Sequence, residues 1–266
     1  MSFRLFEIHE QRWFPQFLRD QFVDGLQMLL EVMSAYAPIS QLLRTRLRES
    51  GTDCVVDLCS GAGGPWHGLL HDFEMFGAAP LKVILTDKFP ATRNPEDRKK
   101  SSAKRVYYVE HPIDALQVPQ NLRGFRTLFS SFHHFSRDEA IRLLQDSVDR
   151  RQGIGIFEAP GLHPLTLAAL FFIPVAMWIF TPLHRPFSWS RLLWTYLIPV
   201  IPFVLFFDGV VSCLRAYTIA ELAQMVSGLS GTCYRWEIGK EIGDLLPLPI
   251  TYLIGFPLNA PAEPGD

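Results

Sequence analysis

The chain is poor in several things that would have placed it quickly. It has four cysteines in 266 residues, Cys54, Cys59, Cys213 and Cys233. None forms the paired spacing of a structural zinc site, so a metal-knuckle module is excluded. Free thiols of this kind suit a reducing compartment. No sign of charge dominates: 25 Lys and Arg face 27 Asp and Glu, a net charge of −2. That excludes the basic footprint of a nucleic-acid binder. The one dense basic run, Arg98, Lys99, Lys100, Lys104 and Arg105, lies in a serine-containing connection and is expected to be a solvated loop. The N-terminus lacks a basic start followed by an apolar core, so a secretory signal is not expected. No Ser-His-Asp set sits in a nucleophile-elbow context. No His/Cys/Asp cluster has ligand spacing, so the expectation is no metal.

What is present is an alternation of strand and helix. Residues 15–36 predict a helix, with Pro15 suited to its first turn and Leu18, Phe22, Leu26, Leu29 and Met33 forming an apolar stripe. Ahead of it, Phe3, Leu5, Phe6, Ile8, Trp13 and Phe14 make an aromatic leader. Such a leader can cap a cavity, meet a membrane surface or simply pack. Strands are predicted at 54–58, 82–87, 105–110, 125–131 and 155–158, with helices at about 65–77 and 137–150. Ser136 can cap the second of these, and Asp138 and Glu139 favour its positive end. Thr218 and Glu221 make a capping box that opens a further helix. Two strands, 233–238 and 249–255, then follow without a helix between them and can pair antiparallel. The expected fold is α/β with a doubly wound, mostly parallel sheet and an antiparallel C-terminal pair. The domains divide as an N-terminal helical cover (1–50), a core (51–158 and 215–266) and an apolar insertion (159–214).

The most informative stretch is Val55 to Trp66, Val-Val-Asp-Leu-Cys-Ser-Gly-Ala-Gly-Gly-Pro-Trp. A buried strand ends in an acid and runs into a glycine-rich βα turn, where a backbone free of Cβ atoms lets a ligand come close. A dinucleotide fingerprint fails: counting from Gly61, the third glycine position holds Trp66, and from Gly63 the next falls at Pro65. No Gly-Lys-Ser/Thr follows, so a P-loop is excluded. The run resembles the first motif of class I, Rossmann-like S-adenosylmethionine (SAM)-dependent methyltransferases. It departs from the commoner pattern at Cys59, where that family usually has glycine. The resemblance covers 53–158 and 215–257, and implies a seven-stranded sheet with SAM as the cofactor. It places Asp57, Gly61 and Gly63 at the methionine end of SAM, Asp87 at the ribose hydroxyls and Asp114, in Ile-Asp-Ala-Leu, near the adenine amino group. At the fourth strand it implies that the end Ser-Ser-Phe-His-His-Phe lies beside the transferring methyl, with Ser130 among the cofactor-binding residues and His133 and His134 facing the acceptor.

Methyl transfer needs donor and acceptor held in line and, for some acceptors, a proton removed. Histidine suits that task near neutral pH. His134, then His133, is the candidate base, and both can equally shape the cavity. Glu158, His163, His111, Asp208 and Arg215 are candidates on the substrate side. The insertion has no charged residue from Leu165 to Leu183 or from Leu192 to Phe207. As helices these would be roughly 28 and 24 Å long, near bilayer thickness. Pro174, Pro199 and Pro202, two arginines in the connecting loop, and interfacial Trp178, Trp189, Trp194 and Tyr196 argue against full spanning. A half-inserted monotopic hairpin is expected, with an apolar lid in a soluble enzyme as the rival. The expectation is methyl transfer to a small lipophilic acceptor at the cytoplasmic membrane face, with no nucleic acid and no metal. The alternatives are a non-catalytic SAM-binding or membrane-docking protein and another Rossmann-like nucleotide-binding enzyme.

Overall fold

In the computed structural model, residues 5–77, 80–90, 105–184, 187–231, 233–243 and 247–258 are described. Of the basic run only Arg105 falls among them, and it pairs with Glu74 at 3.1 Å. Arg98, Lys99, Lys100 and Lys104 lie outside the described residues.

Five short strands run parallel: β1 (Cys54–Asp57), β2 (Lys82–Leu85), β3 (Val106–Tyr108), β4 (Phe125–Phe129) and β5 (Ile154–Glu158). Two longer strands, β6 (Tyr234–Ile242) and β7 (Pro249–Pro257), pair antiparallel, and β7 also pairs antiparallel with β5. The order across the sheet is β3-β2-β1-β4-β5-β7-β6. Parallel strands must be covered on both faces, and their side chains divide accordingly. Val55 and Val83 point to one face, where they meet Leu43 and Leu47 of α2 (Ser40–Glu49) and Leu69 and Phe73 of α3 (Trp66–Met75). Val56 and Leu128 point to the other. There they meet Leu143 and Leu144 of α4 (Arg137–Asp149) and Leu222 and Met225 of the later helix Ile219–Ser227. The Thr218–Glu221 capping box forms, and the Ser136 cap of α4 proves to be a full capping box with Glu139.

A third apolar cluster stands outside the sheet. It joins Phe14 of the leader and Leu18, Phe22 and Leu29 of α1 (Gln16–Val32) to the insertion. The insertion consists of α5 (Pro164–Phe180), a short helix α6 (Trp189–Leu192) that continues as a π turn to Leu197, and α7 (Val200–Arg215). Ile219–Ser227 is then α8. The two apolar segments behave differently. With its last turn to Leu183, α5 makes a 20-residue apolar rod of which only 17% is buried. The second segment bends by 70° between the π turn and α7. Ile201, Val204, Leu205 and Val211 of α7 are buried. A straight second span is therefore not formed, and α7 serves as an internal strut.

Candidate functional site

The strand order brings the carboxyl ends of β1, β2 and β4 side by side, which is where an open α/β sheet holds its ligand. Asp57 closes β1 with its side chain buried. Thr127, its neighbour on β4, donates from Oγ1 to Asp57 Oδ1 at 2.6 Å. Burial raises the Asp57 carboxyl to about 7, against the lowering effect of that hydrogen bond. The chain then turns sharply. Cys59 takes φ +57° and Gly63 φ +123°, both in the left-handed region. A Cβ on Gly63 would stand 2.8 Å from Tyr108 Oη on a left-handed backbone, so a larger residue there is strained. Cys59 pays for its left-handed backbone at the place where the resembled family has glycine.

Asp87, just past β2, closes the other wall. Its Oδ2 accepts the Gly61 N–H at 2.8 Å, and its Oδ1 accepts the Phe89 N–H at 2.7 Å. Burial raises its pKa despite these two donors. Each carboxylate oxygen can still accept a further donor. The cradle around Gly63 and the partly satisfied carboxylates of Asp57 and Asp87 fit a ligand that offers an ammonium group and a pair of hydroxyls. SAM offers both. Asp114 sits at the rim, with Lys88 Nζ 2.7 Å from Oδ2 and the Leu116 N–H on Oδ1. Burial opposes the shift, but Lys88 holds its carboxyl below the ordinary value.

After β4, Ser130 takes φ +43°, and Phe132–His134 form a single 3₁₀ turn. The Ser130 hydroxyl lies 2.5 Å from Tyr36 Oη and accepts the Ala159 N–H. Glu158 closes β5 beneath this turn. One of its oxygens accepts the Ser131 and Phe132 N–H groups at 2.9 and 2.8 Å. The other lies 2.5 Å from His133 Nδ1. Glu158 therefore supports a histidine rather than facing a substrate directly.

The leader completes the arrangement. The side chain of Asp208 on α7 accepts the Ile8 N–H at 2.7 Å and the His9 N–H at 3.0 Å, and meets His9 Nδ1 at 2.8 Å. So tethered, the leader lays Glu7 and Glu10 over the histidine pair. Glu7, 1% exposed, comes within 3.5 Å of His133 Nε2 and 3.7 Å of His134 Nδ1. Glu10 stands 2.6 Å from His134 Nδ1. Arg215 Nη1 reaches Glu7 at 3.2 Å and Glu10 at 2.9 Å. Burial alone would lower His133, but the Glu158 and Glu7 carboxylates outweigh it and push its pKa up to about 9. His134 moves the other way, lowered by burial and by the charge of His133. Burial opposes the shift at Glu10, yet His134 and Arg215 hold it down to about 2.

The residues expected from sequence thus fall into two neighbouring groups. Asp57, Gly61, Gly63 and Asp87 gather at the glycine turn, with Asp114 at its rim. His133, His134, Glu158 and Arg215 gather at the 3₁₀ turn, with Ser130 beside them. His111 is exposed beyond β3, and His163 occupies the N-cap position of α5 without a side-chain cap, so neither is brought into the histidine group. Asp208, a substrate-side candidate in the sequence, instead tethers the leader, and Glu7, Glu10 and Tyr36 join the site without a sequence signal of their own. No short-range pattern marks the others, because the residues they touch are far away in the chain.

No family model and no curated protein matches the chain. Solved structures do. The methyltransferase domain of bacterial CtHen1-CN is 13% identical, with a TM-score of 0.48 over 84% of this chain and 99% of that one. The plantazolicin methyltransferase BpumL, solved with SAH, is 8% identical, with a TM-score of 0.46 over 94% of this chain and 88% of that one. Human N-acetylserotonin methyltransferase, solved with SAM, is 12% identical, with a TM-score of 0.49 over 92% of this chain and 57% of that one. The strand order, the reversed β7 and the glycine turn after β1 give this chain the class I, Rossmann-like methyltransferase fold.

Proposed function

We propose that the protein transfers a methyl group from SAM to a small hydrophobic or lipid-like acceptor at the cytoplasmic face of a membrane. One observation carries the donor half. The glycine turn, the buried Asp57 and Asp87 converge at the carboxyl ends of β1 and β2, with Asp87 fastened to the turn through the Gly61 N–H. When bound, SAM supplies an electrophilic methyl group on a sulfonium. The chain's residues do the rest. Asp57 meets the ammonium end, Gly61 and Gly63 give room for it, Asp87 takes the ribose hydroxyls, and Asp114 marks the adenine end. Ser130 shapes the floor. His133 and His134 front the acceptor, where a hydroxyl or amine must shed a proton. Glu158 and Arg215 hold that pair in place.

The acceptor half is supported by the surface of the insertion. Phe171 is 70% exposed, Phe172 68% and Trp189 79%, with Trp178, Ile179 and Leu197 also open. A helix apolar on every side belongs either in a core or in lipid, and α5 is not in a core. Trp13 and Phe17 continue the same character at the leader, and Phe17 packs on Trp194. The aromatic belt and the half-buried hairpin suit an interfacial seat better than a span.

Calorimetry with S-adenosylhomocysteine tests the donor half. Asp87→Ala should fold and lose affinity by about tenfold or more. Unchanged affinity would remove Asp87 from the site. Incubation with methyl-labelled SAM and a lipid extract tests the acceptor half: label should enter the organic phase. Binding of SAM without transfer to any extract would leave a docking protein instead of an enzyme.

A further inference from the structure

One nitrogen of the histidine group, His133 Nε2, has a setting that hydrogen bonding does not explain. His133 is 2% exposed, and its Nδ1 is committed to Glu158. Its Nε2 is buried and has no hydrogen-bond partner. The nearest carboxylate oxygen, Glu7 Oε1, stands 3.5 Å away, beyond the normal N–H···O range. Glu7 Oε2 stands 3.7 Å from His134 Nδ1, again too far for a bond. Donor atoms of Glu7, His133 and His134 all lie within 4.8 Å of one another. Two donors each about 2.0–2.1 Å from a tetrahedral zinc ion stand about 3.3 Å apart, close to both spacings.

We infer that Glu7, His133 and His134 form a binding site for a divalent transition metal of the zinc type. Two imidazoles and a carboxylate select this class over magnesium or calcium, which prefer all-oxygen sites. Three protein ligands leave a position open to water or substrate. The surroundings match. Glu158, anchored by two backbone N–H groups, orients His133 so that Nε2 faces the site, the usual carboxylate–histidine–metal arrangement. Four carboxylates gather here: Arg215 reaches Glu7 and Glu10, His133 meets Glu158, and His9 meets Asp208, so one permanent cation faces four acids and an ion bound between the imidazoles adds to the balancing charge. Arg215 and Ser212 both donate to Oε1 of Glu7 at 3.2 and 3.1 Å, which leaves Oε2, 3.7 Å from His134 Nδ1, as the oxygen for the ion. Glu10, 31% exposed and 2.6 Å from His134 Nδ1, must give up that contact when the ion binds. The site departs from the metal-free expectation because the leader, and not sequence spacing, supplies the first ligand. It stands independently of methyl transfer. If both hold, the open position lies beside the acceptor.

The test uses the full chain, stripped with a chelator, with Zn²⁺ and Co²⁺ as probes at pH 8, since metals compete with protons for imidazole. Calorimetry and metal analysis should give one ion per chain, and Co²⁺ should give visible d–d absorption of a low-symmetry site. His134→Gln and Glu7→Gln should each weaken binding at least tenfold, whereas His71→Gln, on the exposed face of α3, should not. X-ray absorption on the wild-type Zn²⁺ complex should report two imidazoles and a carboxylate, so the proposal stays testable if Glu7→Gln fails to fold. No stoichiometric binding by the wild type, or binding that survives His134→Gln at full strength, overturns the site. Neither result bears on SAM binding, which is measured separately.

Discussion

Asp57 and Gly63 carry opposite kinds of strain. Asp57 is an ionisable group in a dry place, and its carboxyl titrates near 7 in the fold against about 3.9 in an unfolded chain. Below the lower value both states hold the proton and the group costs nothing. Between the two values stability falls as pH rises, and above 7 the whole penalty is present. Asp57→Asn should therefore stabilise the ligand-free protein at pH 8, by about 2–4 °C in Tm for each kcal/mol recovered. The gain should shrink at pH 5. A gain that does not change with pH, or no gain, would contradict the assignment of burial as the cause. The same variant should bind S-adenosylhomocysteine more weakly. Gly63 has no such latitude. Gly63→Ala puts a methyl 2.8 Å from Tyr108 Oη on a left-handed backbone, and should cost roughly 1–3 kcal/mol by denaturant titration. A variant as stable as the wild type would mean the turn relaxes freely. Asp57, Gly63 and Asp87 were legible in the sequence because an acid or glycine at a strand end is a local pattern. Their partners were less so: Thr127 lies on another strand, and Cys59 shows its left-handed φ only in three dimensions.

Among the elements, the leader and α7 depend on each other. Asp208 sits about 200 residues from Ile8, yet accepts two of the leader's backbone N–H groups. Asp208→Asn exchanges one acceptor oxygen for a donor that those amides cannot use, a loss of about 1–3 kcal/mol at a buried site. Hydrogen exchange read by mass spectrometry should show the leader peptide exchanging faster while the β1–β4 peptides keep their protection. Equal protection of the leader would mean that the apolar contacts of Phe14 hold it alone. The cap at Ser136 and the capping box at Thr218 were readable from local spacing, whereas α2 was not singled out. The leader's role was not readable. Its aromatic residues suggested a lid, a membrane contact or packing, and only the contact with Asp208 assigns Glu7 and Glu10 to the histidine pair. The insertion was half legible: two uncharged runs of similar composition become an exposed rod and a buried strut, because α1 packs over α7 and leaves most of α5 open.

At the scale of the whole molecule, the sheet order follows from the alternation of strand and helix, and the reversed β7 from a connection too short to hold a crossover helix. A polar cradle stands at the carboxyl ends of β1 and β2, and the insertion that follows β5 carries an apolar flank. The flank predicts behaviour that a water-soluble globule would not show. The wild type should co-sediment with phospholipid vesicles, and a triple variant, Phe171→Ser, Phe172→Ser and Trp178→Ser, should remain folded and stay in the supernatant. Equal partitioning of both proteins would assign the apolar face to another partner. The central claim concerns the cradle, and a ligand-stabilisation screen tests it most directly. A specific ligand raises Tm by mass action, so S-adenosylhomocysteine at about a hundred times its Kd should stabilise the protein by about 2.7 kcal/mol, and Asp87→Ala should remove the shift. A clear shift with NAD and none with S-adenosylhomocysteine would contradict the account.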